Sequence, residues 1–386
     1  MFWRYTLFEA KLLIKNRKIW FITAFLLLFY LLFFMYNQQE QPPSLADQKR
    51  QDVGMVYAAF DHLDLLRHDL PEVAEVYDYV TQISSLVGMQ VWNIGRGSDS
   101  EQYIEDGLKA NELRLKVHEL GNEGIPEHLI VPREEILKEN ALLHYIRDNE
   151  LPIESDSFAT NHFITKALNA MTGILFLVVF LIAGNELLVF EQRHRTVMKG
   201  FPLSFMKRII SKVLTYFVFL YSLLLVGFYI GTIYADKKLN AGEFEFPVLI
   251  YKDGGFIAVS TGEYLLNVFL GLALVAIVIL LLSILLNMLF KNAFANVLIG
   301  IGIFLLPDLM MAAGINATFL DPIKSIDIAN VLSGDLAVQL GNDAIDYGYA
   351  MMSLGIIAVL LVGVIFAINK FQYQRTPKHS PLEKAF

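Results

Sequence analysis

GNELLVFEQRHRTVMKGFPLSFMKRIISK, residues 184–212, lies between two long apolar runs, and its reading decides how the chain is laid out. A tight polar turn would be enough to join two hydrophobic segments. Instead the stretch carries Glu191, Arg193, His194 and Arg195, then the breakers Gly200 and Pro202. Ser204 follows in a position to cap a new helix, and Met206, Ile209 and Ile210 lead into the next apolar run. Breakers and caps describe an elbow of firm shape, which a partner can push on to move two helices together and which a disordered tether would not need. The alternative is a basic loop that only fixes topology, and spacing alone leaves both open.

Outward from the elbow, the chain is too apolar for one soluble core: its 386 residues are 55% hydrophobic and 18% charged, with a mean hydropathy of +0.47. An integral membrane protein is expected. The absence of cysteine excludes a disulfide framework, thiolate metal sites and a cysteine nucleophile. Six segments are long enough to cross hydrocarbon about 30 Å thick, which takes about 20 helical residues. They are 19–36, 168–190, 210–234, 264–290, 293–313 and 347–368, the fourth and fifth separated only by Lys291 and Asn292 as a helical hairpin. No small-residue cleavage site follows the apolar run ending at Tyr36, so the first segment reads as a retained anchor.

Basic residues in short flanks are held on the cytoplasmic side. Arg4, Lys11, Lys15, Arg17 and Lys18 precede the first span; Arg193, Arg195, Lys199, Lys207, Arg208 and Lys212 follow the second; Lys291 follows the fourth; Lys370, Arg375, Lys378 and Lys384 follow the sixth. Six crossings put all four sets on one side. Both termini, the elbow at 191–209 and the tail at 369–386 are then cytoplasmic, in a multi-pass protein of the cell membrane, and 37–167, 235–263 and 314–346 face outside.

The first outside segment is a small domain of roughly 130 residues whose carboxylates exceed its basic residues by about a dozen. PEVAEVYDYVTQISSLVGM (71–89) and PREEILKENALLHYIRDNEL (132–151) space apolar residues by three and four behind Pro71 and Pro132, so the domain reads as mainly helical, with NIGRGSDS (93–100) a turn. The fold class expected is an all-α membrane protein: six transmembrane helices, an amphipathic interfacial helix at 1–18, and a helical extracytoplasmic domain between spans one and two. In the N-terminal helix Phe2, Trp3, Leu7, Leu12 and Leu13 are assigned to lipid, with Lys11, Lys15 and Arg17 for headgroups, although a plain anchor serves equally.

The chain has no phosphate-binding loop, no dinucleotide fingerprint, no H-E-x-x-H and no G-x-S-x-G, so neither nucleotide hydrolysis nor common hydrolase chemistry is written in it. No cofactor or metal is expected on this chain, and ATP with its Mg2+ would be handled by another subunit. His62, His68, His118 and His128 lack paired ligand spacing and read as surface residues. Glu186 and Asp308 are ionisable residues within spans, where burial costs roughly 2.5–3.5 kcal/mol without a partner. Either lines a polar path or binds an ion, or else Glu186 snorkels toward elbow cations and Asp308 marks a kinked, hydrated helix end after Pro307. Asn287, Asn292 and Asn296 are assigned to helix contacts around the hairpin, at about 0.6 kcal/mol per hydrogen bond.

The sequence resembles the membrane subunit, or permease, of ABC-2 type exporters. Members end the second span in an acidic residue, followed by a turn with Thr, a Pro-x-Ser step, a basic residue and Lys at the foot of the third span. Here these are Glu191, Thr196, Pro202, Ser204, Lys207 or Arg208, and Lys212, with Arg195 where the family usually has Gly. LDPIKSIDIANVLSG, residues 320–334, matches the partly re-entrant connection before the last span. The resemblance implies two permease halves, identical or different, forming a pathway in lipid, and separate ABC ATPase subunits docking on the elbow. It further implies that Glu191, Arg195, Thr196, Pro202, Ser204, Lys207, Arg208 and Lys212 couple the two. The expected activity is export of an amphipathic or hydrophobic molecule, a peptide, antimicrobial or lipid-like compound, with no nucleic-acid partner. Two alternatives stay open: a membrane sensor signalling through the elbow, and an ion-coupled carrier using Glu186 and Asp308.

Overall fold

The computed structural model describes residues 1–38, 43–66, 71–96, 100–153, 159–189, 191, 201–239, 242–290, 292–315 and 317–375, without the side chains at 71–72, 95–96 and 372–375. Arg193, His194, Arg195, Thr196, Lys199 and Gly200 of the elbow, together with His68, Lys291, Lys378 and Lys384, lie outside the described residues.

The first helix, α1 (Phe2–Lys15), is amphipathic, and the face it buries is Tyr5, Glu9 and Leu13, four residues apart. Trp3, Leu7 and Ile14 are exposed on the rest of its surface. Leu13, expected against lipid, is therefore packed inside the protein at 2% exposure. The helix stops at Asn16, whose backbone is extended and whose side chain accepts from the Lys18 amide to cap α2 (Arg17–Asn37), the first span.

The second span departs from the single run expected over 168–190. It begins earlier, as α7 (Thr160–Met171), breaks at Thr172, and continues as α8 (Gly173–Gly184), bent by 54°. Hydropathy misses the start because α7 is amphipathic, burying Phe163, Ile164, Leu168 and Met171 alongside the polar Thr160 and Asn161. The third span, α9 (Phe205–Asp236), is one continuous helix that includes the second half of the elbow. Ser204 occupies its N-cap position, but the hydroxyl makes no capping hydrogen bond, contrary to the expected role. Gly227 and Gly231, one turn apart on α9, let it press against α2: a Cβ on either would overlap the Leu26 carbonyl or the Tyr30 side chain.

The fourth span, α10 (Thr261–Leu289), is the most enclosed: 61% of its apolar window is buried, against 17–28% for the other unbroken spans, so it forms the centre of the bundle. The fifth and sixth are α11 (Ala293–Ala312) and α15 (Tyr347–Arg375). Among the described residues five helices are thus long and apolar enough to cross a membrane, six if α7 and α8 form one span. Between α11 and α15 the chain folds back on the bundle through α12 (Asp321–Lys324), α13 (Ile328–Leu332) and α14 (Asp335–Leu340), fully burying Ser325, Ile328, Val331 and Leu332.

The helical domain contains α3 (Leu45–Leu66), α4 (Pro71–Arg96), α5 (Ser100–Glu119) and α6 (Arg133–Asp148). Val73, Val76, Val80, Ile83 and Val87 on α4 recur at three- and four-residue spacing and fill its core with Leu63 and Ala110. Against α6 packs an antiparallel hairpin, β1 (Pro247–Lys252) and β2 (Gly255–Ser260), in the loop at 235–263 to which the sequence reading gave no strand. Its two-residue turn is Asp253-Gly254, both at positive φ, the conformation that matches the twist of paired strands.

Candidate coupling site

At the end of the bundle that carries α1, three elements meet through charge. Arg208 and Lys212 are one turn apart on α9 and share a face, as do Tyr5 and Glu9 on α1; Glu191 follows the end of the second span. The Lys212 Nζ lies 2.7 Å from Glu9 Oε1 and 3.6 Å from Glu191 Oε1. The Arg208 guanidinium is 3.2 Å from Glu191 Oε2, and the Tyr5 hydroxyl donates to Glu191 Oε1 at 2.8 Å. Two carboxylates thus face two cations in a site almost without water: the Lys212 and Glu9 side chains are 1% and 4% exposed, and Glu191 is 11% exposed. Burial, then Glu191 and Glu9, push the Tyr5 phenol far above its usual pKa, so it stays protonated and serves as a donor. Thr6 and Ser211 add a hydroxyl pair at 2.9 Å, and Phe201 of the elbow packs edge-on to Tyr5 with ring centroids 5.3 Å apart.

The residues assigned to coupling divide into two sets. Pro202, Ser204 and Lys207 are exposed, while Glu191, Arg208 and Lys212 are tied inward as the root of the elbow. Arg195 and Thr196 are among the residues outside the described set. Chemically the arrangement is a clamp: Glu191 at the end of the second span is tied to α9 through Arg208 and Lys212 and to α1 through Tyr5, and Lys212 also binds Glu9 of α1. Reading the sequence missed Tyr5 and Glu9. Their signal was the Tyr5, Glu9, Leu13 spacing, which puts a carboxylate on the same face as two bulky groups.

Glu186 and Asp308 are not brought together. Glu186 pairs with Lys18 of α2 at 3.2 Å, and Lys18 also donates to Asn185 Oδ1. Asp308 pairs with Lys324 of α12 at 2.8 Å and is 49% exposed. Asn287 donates to the Gly184 carbonyl and Asn296 to that of Asn185, tying α10 and α11 to the end of the second span, while Asn292 caps α11. Among the described residues no group of three His, Asp or Glu is arranged to hold a metal.

At the opposite end the break in the second span has its own partner. Asp327 accepts from the Thr172 hydroxyl at 3.2 Å and from the Asn330 side chain at 3.1 Å, docking the fold-back segment on the bend. Burial pushes its carboxyl above the usual range. Tyr264 of α10 donates to Asn169, one turn before the break, at 2.8 Å. Asp327 lies inside the motif at 320–334, but sequence alone does not say which of its polar residues faces inward.

The profile of the ABC-2 family transporter protein family matches residues 7–366, nearly the whole chain. No curated protein and no solved structure matches.

Proposed function

We propose, on the premise that the chain belongs to the ABC-2 transporter family and is a membrane permease subunit of an ABC transporter, that it exports an amphipathic or hydrophobic molecule from the cell. ATP is hydrolysed by a separate subunit, which the family implies as a partner. In this reading both termini and the elbow are cytoplasmic, a second permease completes the pathway, and the ATPase grips the exposed face at Pro202, Ser204 and Lys207. Its movement reaches the membrane through the buried clamp. The observation that carries the reading is the Lys212 ammonium held between Glu9 and Glu191, because it joins the first helix and the ends of two spans into one mechanical unit beneath an exposed knob.

The native chain has no cysteine, so Ser204→Cys offers a single reactive thiol. A membrane-impermeant maleimide should label it only from the cytoplasmic side, and bound ATPase should protect it. Lys207→Glu should leave the amount of permease unchanged while uncoupling ATP hydrolysis from transport. Labelling from outside, or full coupling in Lys207→Glu with the thiol unprotected, would sink the assignment.

A further inference from the structure

A cavity of about 390 Å3 opens where the helical domain meets the bundle, within the range of small-molecule sites. His162 at the start of α7 and Phe246 beside β1 bound it on the bundle side, and Leu142 and Leu143 of α6 are among its apolar walls. Its polar end is made by Lys49 and Asp52 on α3, Tyr103 on α5 and Glu139 on α6. Most of that end is internally satisfied. Lys49 binds Glu139 Oε1, while Asn111 at 3.1 Å and Arg114 at 3.4 Å take the other oxygen. Burial opposes ionisation of Glu139, but Lys49 and Arg114 overcome it and hold the carboxyl below its usual pKa.

Two groups are left over. Asp52 turns one oxygen to Lys49 at 3.3 Å and Arg114 at 3.8 Å, and its second oxygen makes no hydrogen bond among the described residues. Tyr103 is 4% exposed, yet its hydroxyl also makes none. A buried phenol ordinarily finds a partner, and what this one borders is cavity volume rather than protein. The space is too large for one or two structural waters, each of which needs about 30 Å3 and several polar neighbours. The domain around it is strongly acidic, which raises the local concentration of cations.

We propose that this cavity binds a small cationic amphiphile, its amine meeting the free oxygen of Asp52 and the Tyr103 hydroxyl, its apolar body lying on the α6 leucines and Phe246. The inference deepens the export reading by giving the amphipathic molecule a charge and a docking place. It rests on that reading for its physiological meaning only, since binding requires neither ATPase nor transport.

The test uses the full chain in lipid nanodiscs with one added thiol, either Leu142→Cys in the cavity wall or Glu112→Cys on the exposed face of α5. Decylamine at ten times its Kd should slow N-ethylmaleimide labelling of the first about ten-fold and leave the second unchanged. Decanoate and decanol, of equal chain length, should protect far less. In Tyr103→Phe, nearly isosteric, protection should fall while the thermal unfolding profile is kept, and in Asp52→Asn, which also loosens the pairs to Lys49 and Arg114, protection should fall as well. Absence of protection by decylamine overturns the site. Equal protection by decanoate, or full protection in both variants, overturns the assigned chemistry. None of these outcomes bears on coupling at the elbow, which is judged by maleimide access and ATPase-linked transport.

Discussion

Lys212 is 1% exposed, with Glu9 and Glu191 as its ion-pair partners. Removing one partner of such a pair costs about 3–5 kcal/mol because the other charge is left buried alone, whereas replacing both with apolar groups of similar volume is close to neutral. Lys212→Met and Glu9→Leu should therefore each lower the unfolding temperature and yield of the purified chain. The double variant should recover much of the loss, the non-additivity expected of touching residues. Simple addition of the two effects in a thermal unfolding series would show that the pair is not coupled. Lys207→Ala, on the exposed side of the same helix, should change neither quantity by more than experimental scatter. Lys212 was legible in the sequence because it stands at the foot of an apolar run. Glu9 was not, since hydropathy assigns the bulky residues of α1 to lipid and cannot say which stripe meets protein.

Among the elements, the bend in the second span is the one most exposed to single substitutions. Gly173 has φ +62°, where a side chain is strained by about 1–2 kcal/mol, and a Cβ there would lie 2.5 Å from Asp327 Oδ2. Gly173→Ala should therefore both strain the break and push the fold-back segment off it. The unfolding temperature should drop, and cleavage by protease within 321–340 should quicken. Gly363→Ala in α15 meets open space around its Cβ and should be neutral or slightly stabilising, by up to about 1 kcal/mol. Equal behaviour of the two variants would mean that Asp327 does not lock the bend. The long spans were legible because each is an unbroken apolar run whose length matches the bilayer. The bend was not: hydropathy sums over Thr172-Gly173 without noticing that the helix has stopped. The hairpin carried a clear signal in Asp253-Gly254 between β-branched and aromatic residues, but its position in a short loop between spans hid it.

Across the whole molecule the two ends are built independently. The clamp joins α1, the end of the second span and α9, while the helical domain meets the bundle at the other end, through the hairpin and the start of α7. Hydropathy could order the spans but not reveal this division, because it depends on which charged side chains find each other across the fold. It has a direct consequence for truncation. Lys166 of α7 donates to Asn37 of α2 at 2.7 Å, so the chain leaves and re-enters the bundle at adjacent points, and a short Gly/Ser linker can close the gap left by removing residues 43–153. That deletion should leave the ATPase co-purifying with the permease and its hydrolysis still stimulated, because it removes no part of the clamp. Deleting residues 2–15 should do the reverse: it strips Tyr5 and Glu9 from the clamp, leaves Lys212 with Glu191 alone at 3.6 Å, and should reduce ATPase retention or stimulation. Loss of the ATPase on removing the helical domain, with α1 intact, would mean that the engine grips the opposite end of the molecule from the elbow.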